Sequence, residues 1–143
     1  MLSEFTHLRS CDPVVTDGEY AYVTLREGIA CANSSNQLDV LDVSTLTNPI
    51  LVKSYPMTSP AGLGIDGNTL FICDGTSGLK VFDVADKLEI DNNLLDQVTD
   101  FIPVDVIPIR AEKRLIVTAE EGLYQFDYQD PENLELLSDI PIK

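Results

Sequence analysis

Short apolar stretches alternate with turn residues along the chain, and the pattern repeats three times. In each repeat, a run of aromatic and β-branched residues precedes a turn and a second run of alternating apolar and polar positions. Each second run closes on an aspartate, and Asp42, Asp83 and Asp127 are separated by 41 and 44 residues. A period of about 40–45 residues built from short strands predicts β-propeller blades. The matching segments are 17–24 with 37–43, 66–73 with 78–84, and 111–118 with 122–128.

Each repeat is predicted to contain four strands, named a to d from the innermost outward. The dipeptides Asp17-Gly18 and Asp66-Gly67 supply the left-handed residues of a tight turn between strands a and b. Strand c has apolar residues on both faces, which is expected when a blade is sandwiched between two neighbours. Strand a is predicted at Pro13–Thr16, Gly62–Ile65 and Val106–Ile109, and strand d at Ile50–Tyr55, Asp96–Phe101 and Leu134–Ile140.

We therefore predict an all-β fold, a partial propeller of three four-stranded antiparallel blades plus one extra N-terminal strand. The extra strand, at residues 2–8, would belong to a preceding blade, and blades 1, 2 and 3 are predicted at about 11–56, 60–102 and 103–142. Closed propellers have about 4–8 blades, so this chain is not expected to close by itself. Further blades would come either from a longer polypeptide or from a second copy of the chain.

The composition argues against several classes of function. The 143 residues carry a formal net charge of −15, which disfavours nucleic acid and anionic membranes because those partners need clustered Lys and Arg. No apolar run reaches the roughly 20 residues of a membrane-spanning helix. A single histidine and three cysteines without CxxC spacing give no support to a zinc site or a histidine-based triad. We predict no cofactor.

The repeats resemble the LVIVD-repeat family of bacterial β-propellers. The repeat motif is carried by Leu38–Ser44, Leu79–Val84 and Leu123–Tyr128, and the stretches Arg9–Val15 and Gly64–Gly75 are similar to other characteristic parts of that family. The resemblance implies an exported protein of the bacterial cell surface or outer membrane, often a lipoprotein, without a common catalytic motif. The chain departs from the family because it shows no leader and has fewer repeats than family members usually carry.

The repeated aspartates Asp42, Asp83 and Asp127 could be metal ligands or catalytic acids. Their recurrence in every repeat favours a structural role instead, because active sites are seldom repeated once per blade. We expect each carboxylate to accept backbone N–H groups in the turn between strands c and d.

The b–c loops and the d–a crossovers emerge on the same side of a propeller, which we call the loop face. The b–c loop of blade 1 is the longest, and an insertion on a rigid scaffold is a common way to build a recognition element. The alternative is a tolerated surface insertion whose arginines pair only with nearby acids. The candidate partner-binding residues are Arg9, Asp12, Arg26, Glu27, Asn33, Asn36 and Asp74, and the inserted loop is Arg26–Asn36.

The cysteines suggest a compartment. Cys11 begins strand a of blade 1 and Cys31 lies in the b–c loop of the same blade, so both are expected on the loop face. We predict that they form a disulfide, which implies an oxidising compartment. Cys73 lies in an apolar run and is predicted to be a buried free thiol.

These features favour a non-enzymatic binding or assembly module that recognises a protein or a glycan. The alternative is a propeller-type hydrolase or lyase with a metal at the central channel. Such an enzyme should place several acids or histidines where the a strands begin. The chain reads Cys11-Asp12, Pro60-Ala61 and Asp105-Val106 at these places, which supplies two acids.

Overall fold

The computed structural model describes residues 13–25, 36–45 and 47–141. Within these ranges the chain forms three four-stranded antiparallel sheets, which confirms the predicted all-β architecture of blades. No helix in these ranges is long and apolar enough to cross a membrane. The strands are β1 (Val14–Asp17), β2 (Tyr20–Leu25), β3 (Gln37–Asp42), β4 (Ile50–Pro56), β5 (Leu63–Asp66), β6 (Thr69–Cys73), β7 (Leu79–Asp83), β8 (Leu94–Val98), β9 (Pro103–Ile109), β10 (Arg114–Ala119), β11 (Gly122–Asp127) and β12 (Glu135–Pro141).

Each sheet is a meander in which strands adjacent in the sequence are adjacent in space. Blade 1 is β1 to β4, blade 2 is β5 to β8, and blade 3 is β9 to β12. The glycines of the two predicted a–b turns have left-handed backbones, with φ of 60° at Gly18 and 57° at Gly67. The predicted extra strand at residues 2–8 lies outside the described residues.

Two strands differ from their predicted bounds by more than one residue. Strand d of blade 2 is predicted at Asp96–Phe101 but forms at Leu94–Val98. Phe101 leaves the sheet and is buried, with its ring stacked on Tyr124 at 4.3 Å between centroids. Burial of an aromatic ring therefore outweighs the continuation of an edge strand. Strand a of blade 3 begins at Pro103, earlier than predicted.

The outermost strand of each blade carries one extra residue opposite strand c. In blade 1, Val52 lies between two consecutive register pairs of β3 and β4 without a residue opposite it. Leu95 and Leu137 hold the same place in blades 2 and 3. This is the arrangement of a β-bulge, which bends a strand and increases its local twist.

Side chains alternate between the leading face of a blade, which points to the preceding blade, and the trailing face, which points to the following one. On β6, Leu70 and Ile72 lie on the leading face and pack against blade 1, whereas Phe71 and Cys73 lie on the trailing face and pack against blade 3. Blade 2 therefore belongs to two hydrophobic cores. The first contains Tyr22, Leu38, Val40, Tyr55, Leu63, Ile65, Leu70, Ile72, Phe82, Val84 and Ile90, and the second contains Phe71, Cys73, Leu79, Val81, Phe101, Val106, Leu115, Val117, Ala119, Phe126 and Tyr128.

Glycines let the innermost strands of blades 2 and 3 approach each other. A Cβ atom at Gly62 would lie 2.8 Å from the Cα of Asp105, and one at Gly64 would lie 2.7 Å from the Cδ of Pro108. The backbone N–H of Gly62 donates to the carbonyl of Val104 at 2.9 Å. The missing side chains thus allow a direct backbone contact between the two blades.

Blades 2 and 3 are also joined through the carboxylate of Asp66. Its Oδ2 accepts hydrogen bonds from the Tyr128 hydroxyl and from Lys113 Nζ, each at 2.8 Å. Burial alone would raise the pKa of Asp66, but these hydrogen bonds and the charges of Lys113 and Arg110 hold it below its usual value. Burial and the hydrogen bond to Asp66 raise the pKa of Tyr128. The ionised carboxylate therefore stabilises the contact between the blades.

We expect the contribution of Asp66 to depend on pH. Because folding lowers its pKa, the carboxylate stabilises the fold at neutral pH, and this contribution is lost as the pH falls below about 3.9 and through the folded pKa. Asp66→Asn should reduce the free energy of unfolding at neutral pH by about 1 kcal/mol, with the difference from wild type shrinking in acid. Urea denaturation at several pH values measures this. A difference that stays constant with pH, or an equal effect of Asp100→Asn at an exposed position, would contradict it.

Candidate functional site

The loop face is held together by hydrogen bonds between segments that are distant in the sequence. The crossover from blade 1 to blade 2 runs across this face after β4. The backbone N–H of Met57 donates to the carbonyl of Asn36 at 3.0 Å, and the hydroxyl of Thr24 donates to the carbonyl of Ala61 at 2.6 Å. Both ends of the crossover are therefore attached to strands b and c of blade 1.

The centre of the crossover is bound to Asp74, the residue that follows β6. This side chain is fully buried. Its Oδ1 accepts the backbone N–H groups of Thr58 at 2.9 Å and of Ser59 at 2.8 Å. Its Oδ2 forms an ion pair with Lys80 Nζ at 2.8 Å. A single carboxylate thus joins the crossover, the b–c loop of blade 2 and strand c of the same blade.

The b–c loop of blade 2 is a tight turn pressed against the crossover. Residues Gly75–Ser77 form one turn of 3₁₀ helix, in agreement with the predicted turn between strands b and c. The hydroxyls of Thr58 and Ser77 are 2.5 Å apart, and the Gln97 amide donates to the carbonyl of Ser77 at 2.7 Å. A Cβ at Gly75, where φ is 58°, would lie 2.8 Å from the Cβ of Ser59. A glycine is therefore needed at this position, because the backbone is left-handed and because a side chain would collide with Ser59.

In blade 3 the crossover is also hydrogen-bonded to the b–c loop, but through Glu120 and Glu121 instead of an aspartate. The backbone N–H of Ile102 donates to the carboxylate of Glu121 at 3.0 Å, and the N–H of Glu120 donates to the carbonyl of Ile102 at 3.0 Å. The crossover before β9 is thus attached to the b–c loop between β10 and β11. The described part of the loop face is a set of short, cross-linked segments.

The structure describes two of the predicted partner-binding residues. Asn36 lies where the inserted loop joins β3, and its carbonyl accepts a hydrogen bond from the crossover. Asp74 is predicted to face a partner, but its side chain is fully buried and engaged by Thr58, Ser59 and Lys80. It holds the loop face in place and is not presented to solvent. The other candidates, Arg9, Asp12, Arg26, Glu27 and Asn33, lie outside the described residues, as do Cys11 and Cys31.

Cys73 is a buried free thiol, as its apolar context predicts. Burial, together with the charges of Asp105 and Asp74, raises the pKa of this thiol well above its usual range. A thiol that is buried and protonated is a poor nucleophile, so Cys73 serves packing.

The repeated aspartates close the turns between strands c and d. The carboxylate of Asp42 accepts the backbone N–H of Ser44 at 2.9 Å. Asp83 and Asp127 do the same for Ala85 at 2.9 Å and Gln129 at 2.8 Å. These are Asx turns, the structural role that the sequence predicts for these residues.

The innermost strands β1, β5 and β9 line a cavity of about 450 Å³ where a propeller has its central channel. Its described lining is mostly apolar, and Arg110 is the charged residue in it. The Arg110 guanidinium donates to the carbonyl of Ile65 at 3.0 Å. Asp105, one of the two predicted channel acids, is exposed at the start of β9 and does not line the cavity. Among the described residues, no three Asp, Glu, His or Cys side chains are grouped to hold a metal.

The repeat pattern of the sequence does not indicate the partners of Asp74. Thr58, Ser59 and Lys80 have no recurring pattern in the three repeats, so the period that reveals Asp42, Asp83 and Asp127 does not reveal them. The available signal is the position of Asp74 directly after a continuous apolar strand, where a carboxylate is buried only when it is paired.

We expect Asp74→Ala to reduce the free energy of unfolding by about 3 kcal/mol, because it leaves Lys80 and two backbone N–H groups without their acceptor in a buried place. Amide hydrogen exchange at Thr58 and Ser59 should accelerate more than exchange in blade 3. Urea denaturation and exchange mass spectrometry measure the two effects. Asp100→Ala at an exposed site is the matched control, and equal losses for both variants would refute the assignment.

Comparison with known proteins finds a family model that matches part of the chain and solved structures with a similar fold. Residues 9–57 match the family model for the LVIVD repeat. No curated protein matches the chain. A functionally unknown protein from Desulfotomaculum acetoxidans DSM 771 has a similar structure, with a TM-score of 0.71 and 13% identity over 94% of this chain and 44% of that one. The N-terminal domain of Nup159 gives a TM-score of 0.53 and 18% identity over 90% of this chain and 30% of that one.

These identities are low enough that the two solved structures inform the fold alone. This chain spans less than half the length of either structure. The family match overlaps the first of the three repeats, and it includes the motif segment Leu38–Ser44. Residues 9–57 therefore match an LVIVD repeat, as the sequence motifs predict, and the described residues form propeller-type blades.

Proposed function

We propose that the chain is a non-enzymatic binding module that recognises a protein or a glycan through its loop face. The observation that supports this is the contrast in loop length on a cross-linked frame. Eleven residues separate Leu25 from Gln37, whereas five separate Cys73 from Leu79 and two separate Ala119 from Gly122. A long segment rooted on a rigid frame is the usual design of a recognition loop.

The frame limits how much the root of the long loop can move. Asn36, at its C-terminal end, is tied to the crossover at Met57, and the crossover is tied to Asp74. Recognition residues placed on such a scaffold lose less conformational entropy on binding than residues on a free segment. The arginines Arg26 and Arg9 add guanidinium groups, which suit carboxylates, sugars and aromatic rings.

The charge of the chain narrows the class of partner. A net charge of −15 repels phosphate backbones and anionic lipid surfaces. Proteins and glycans are the macromolecular partners that this charge does not disfavour. A partner with a basic surface would also be steered toward the acidic chain at low ionic strength.

We expect the inserted loop to carry the binding. Shortening Arg26–Asn36 to the length of the blade 2 loop, with Cys31 and Asn36 retained, should abolish binding and leave the thermal midpoint nearly unchanged, because the hydrogen bond from Met57 to Asn36 and the proposed disulfide are both kept. A glycan array and a phage-displayed peptide library are the probes for the wild-type chain, and each hit is then titrated against the variant.

The matched control changes the opposite side of the propeller. A chain with Asp86→Asn, Glu89→Gln and Asp91→Asn in the exposed c–d loop of blade 2 should bind as wild type. Binding that survives the loop deletion, or that is lost equally in the control, would place the site elsewhere. Tight calcium or zinc binding by calorimetry would instead favour a metal-dependent enzyme.

The proposal extends to the cell compartment. A Cys11–Cys31 disulfide would pin the inserted loop to strand a of blade 1 and would require an oxidising environment, in keeping with export to a bacterial surface. Thiol counting on the denatured, unreduced chain should then find one free thiol, Cys73, and two after Cys31→Ser. Three free thiols in the wild-type chain would refute both the disulfide and the argument for export.

A further inference from the structure

A groove opens on the outer rim of the molecule between blades 1 and 2, and we call it the rim groove. Its floor is formed by the buried residues Tyr55, Phe82 and Ile90, and its sides are formed by Met57 and Leu94. Both walls therefore come from blades that the structure describes. The cavity measures about 200 Å³. An apolar cavity of about 150 Å³ can hold a benzene ring, so the rim groove has room for one aromatic ring.

The chain fills the equivalent place between blades 2 and 3 with an aromatic ring of its own. There, Phe101 stacks on Tyr124 at 4.3 Å between ring centroids, and its centroid lies 5.9 Å from that of Phe126. In the register of the sheets, Tyr124 and Phe126 hold the places that Lys80 and Phe82 hold in blade 2. Phe101 is 3% exposed, so its ring closes the outer part of that interface.

The crossover from blade 1 to blade 2 supplies no such ring. Counted from the residue that pairs with the first leucine of the repeat motif, Thr58 is the counterpart of Phe101. The Thr58 hydroxyl lies 2.5 Å from that of Ser77, and Thr58 does not line the rim groove. Tyr55 stands where blade 2 has Val98 and fills part of the interface, and the rim groove is the space that remains. Blade 3 therefore receives a ring from its own chain at a place that stays open on blade 2.

The polar residues at the edge of the rim groove indicate which kind of segment carries a ring into it. Lys80 is paired with the buried Asp74, so its charge is compensated. Asp91 is exposed, and no cation of the described residues pairs with it. The Gln97 amide donates to the carbonyl of Ser77 at 2.7 Å, which holds its Oε1 in place to accept a backbone N–H group. The edge therefore favours a peptide with a basic residue beside its aromatic one.

We propose that the rim groove binds a peptide segment of a partner protein through one phenylalanine side chain, with a lysine or arginine next to it facing Asp91. The ring takes the place that Phe101 occupies in the next interface. A buried aromatic side chain is a typical anchor of a protein interface, and an acidic chain attracts basic segments. This binding does not depend on the inserted loop.

Phage-displayed heptapeptides with a fixed central phenylalanine and randomised neighbours, selected on the full chain, test the proposal. The selected peptides should be enriched in lysine and arginine beside the phenylalanine. In calorimetric titrations of the synthetic peptides, replacing their phenylalanine by alanine should weaken binding about tenfold or more. The methyl NMR signal of Met57, one of two methionines in the chain, should shift on binding.

Variants of the chain locate the binding. Leu94→Arg places a cation at the side of the rim groove and should weaken the selected peptides about tenfold or more, while its 44% exposure lets the fold tolerate the change. Leu136→Arg is the matched control, because Leu136 holds the same place in strand d of blade 3 and is 51% exposed. Asp91→Asn should weaken the basic peptides about threefold at low salt, whereas Asp86→Asn in the same loop should not.

The selected peptides should still bind when Arg26–Asn36 is shortened, which distinguishes them from ligands of the inserted loop. Failure to select any binding peptide, or peptides that bind Leu94→Arg as tightly as the wild-type chain, would overturn the proposal. Equal affinity for N-acetylphenylalanine amide would overturn it by assigning the rim groove to small aromatic molecules. A dimer at high concentration that Leu94→Arg abolishes would overturn it by assigning the rim groove to a second copy of the chain.

Discussion

The structure depends on one constraint, which is that each blade has two apolar faces. In a blade such as the second, neighbouring residues of one strand belong to different hydrophobic cores, so Phe71 and Ile72 are both buried although they point in opposite directions. Such a sheet cannot be stable alone, because covering either face requires another sheet. The stacking of blades is therefore a condition for each blade to fold, and the glycines at the innermost strands let the stacked sheets approach closely.

Two carboxylates organise this stacking and the loops above it. Asp74 is the clearest case, since one carboxylate satisfies two backbone N–H groups and a lysine. Asp66 plays a comparable part at the opposite end of the blades, where it joins the second blade to Tyr128 and Lys113 of the third. The two carboxylates stabilise contacts at the two ends of the packed blades, while the hydrophobic cores stabilise the contacts between them.

The repeat period and the turns that recur in it were predictable from the sequence, whereas the buried contacts of Phe101 and Asp74 were not. The period, the strands b and c and the Asx turns at Asp42, Asp83 and Asp127 all follow from a pattern that is present three times. The early end of β8 depends on Phe101, which is buried by tertiary contacts that no local pattern encodes. The burial of Asp74 likewise depends on partners 15 and 16 residues earlier in the chain, so its polar character alone suggested a surface residue.

The β-bulges of the outermost strands affect how these strands contact other protein molecules. The extra residues are Val52, Leu95 and Leu137. They bend the outermost strand of every blade at the same place. A flat edge strand presents a row of unpaired backbone groups to any passing strand, and this is a common start of amyloid growth. A bent edge strand cannot form a continuous row of backbone hydrogen bonds with an incoming straight strand. The three outer edges in the described part of this acidic chain are thereby protected against sheet extension, so contacts with other molecules at these edges are left to side chains.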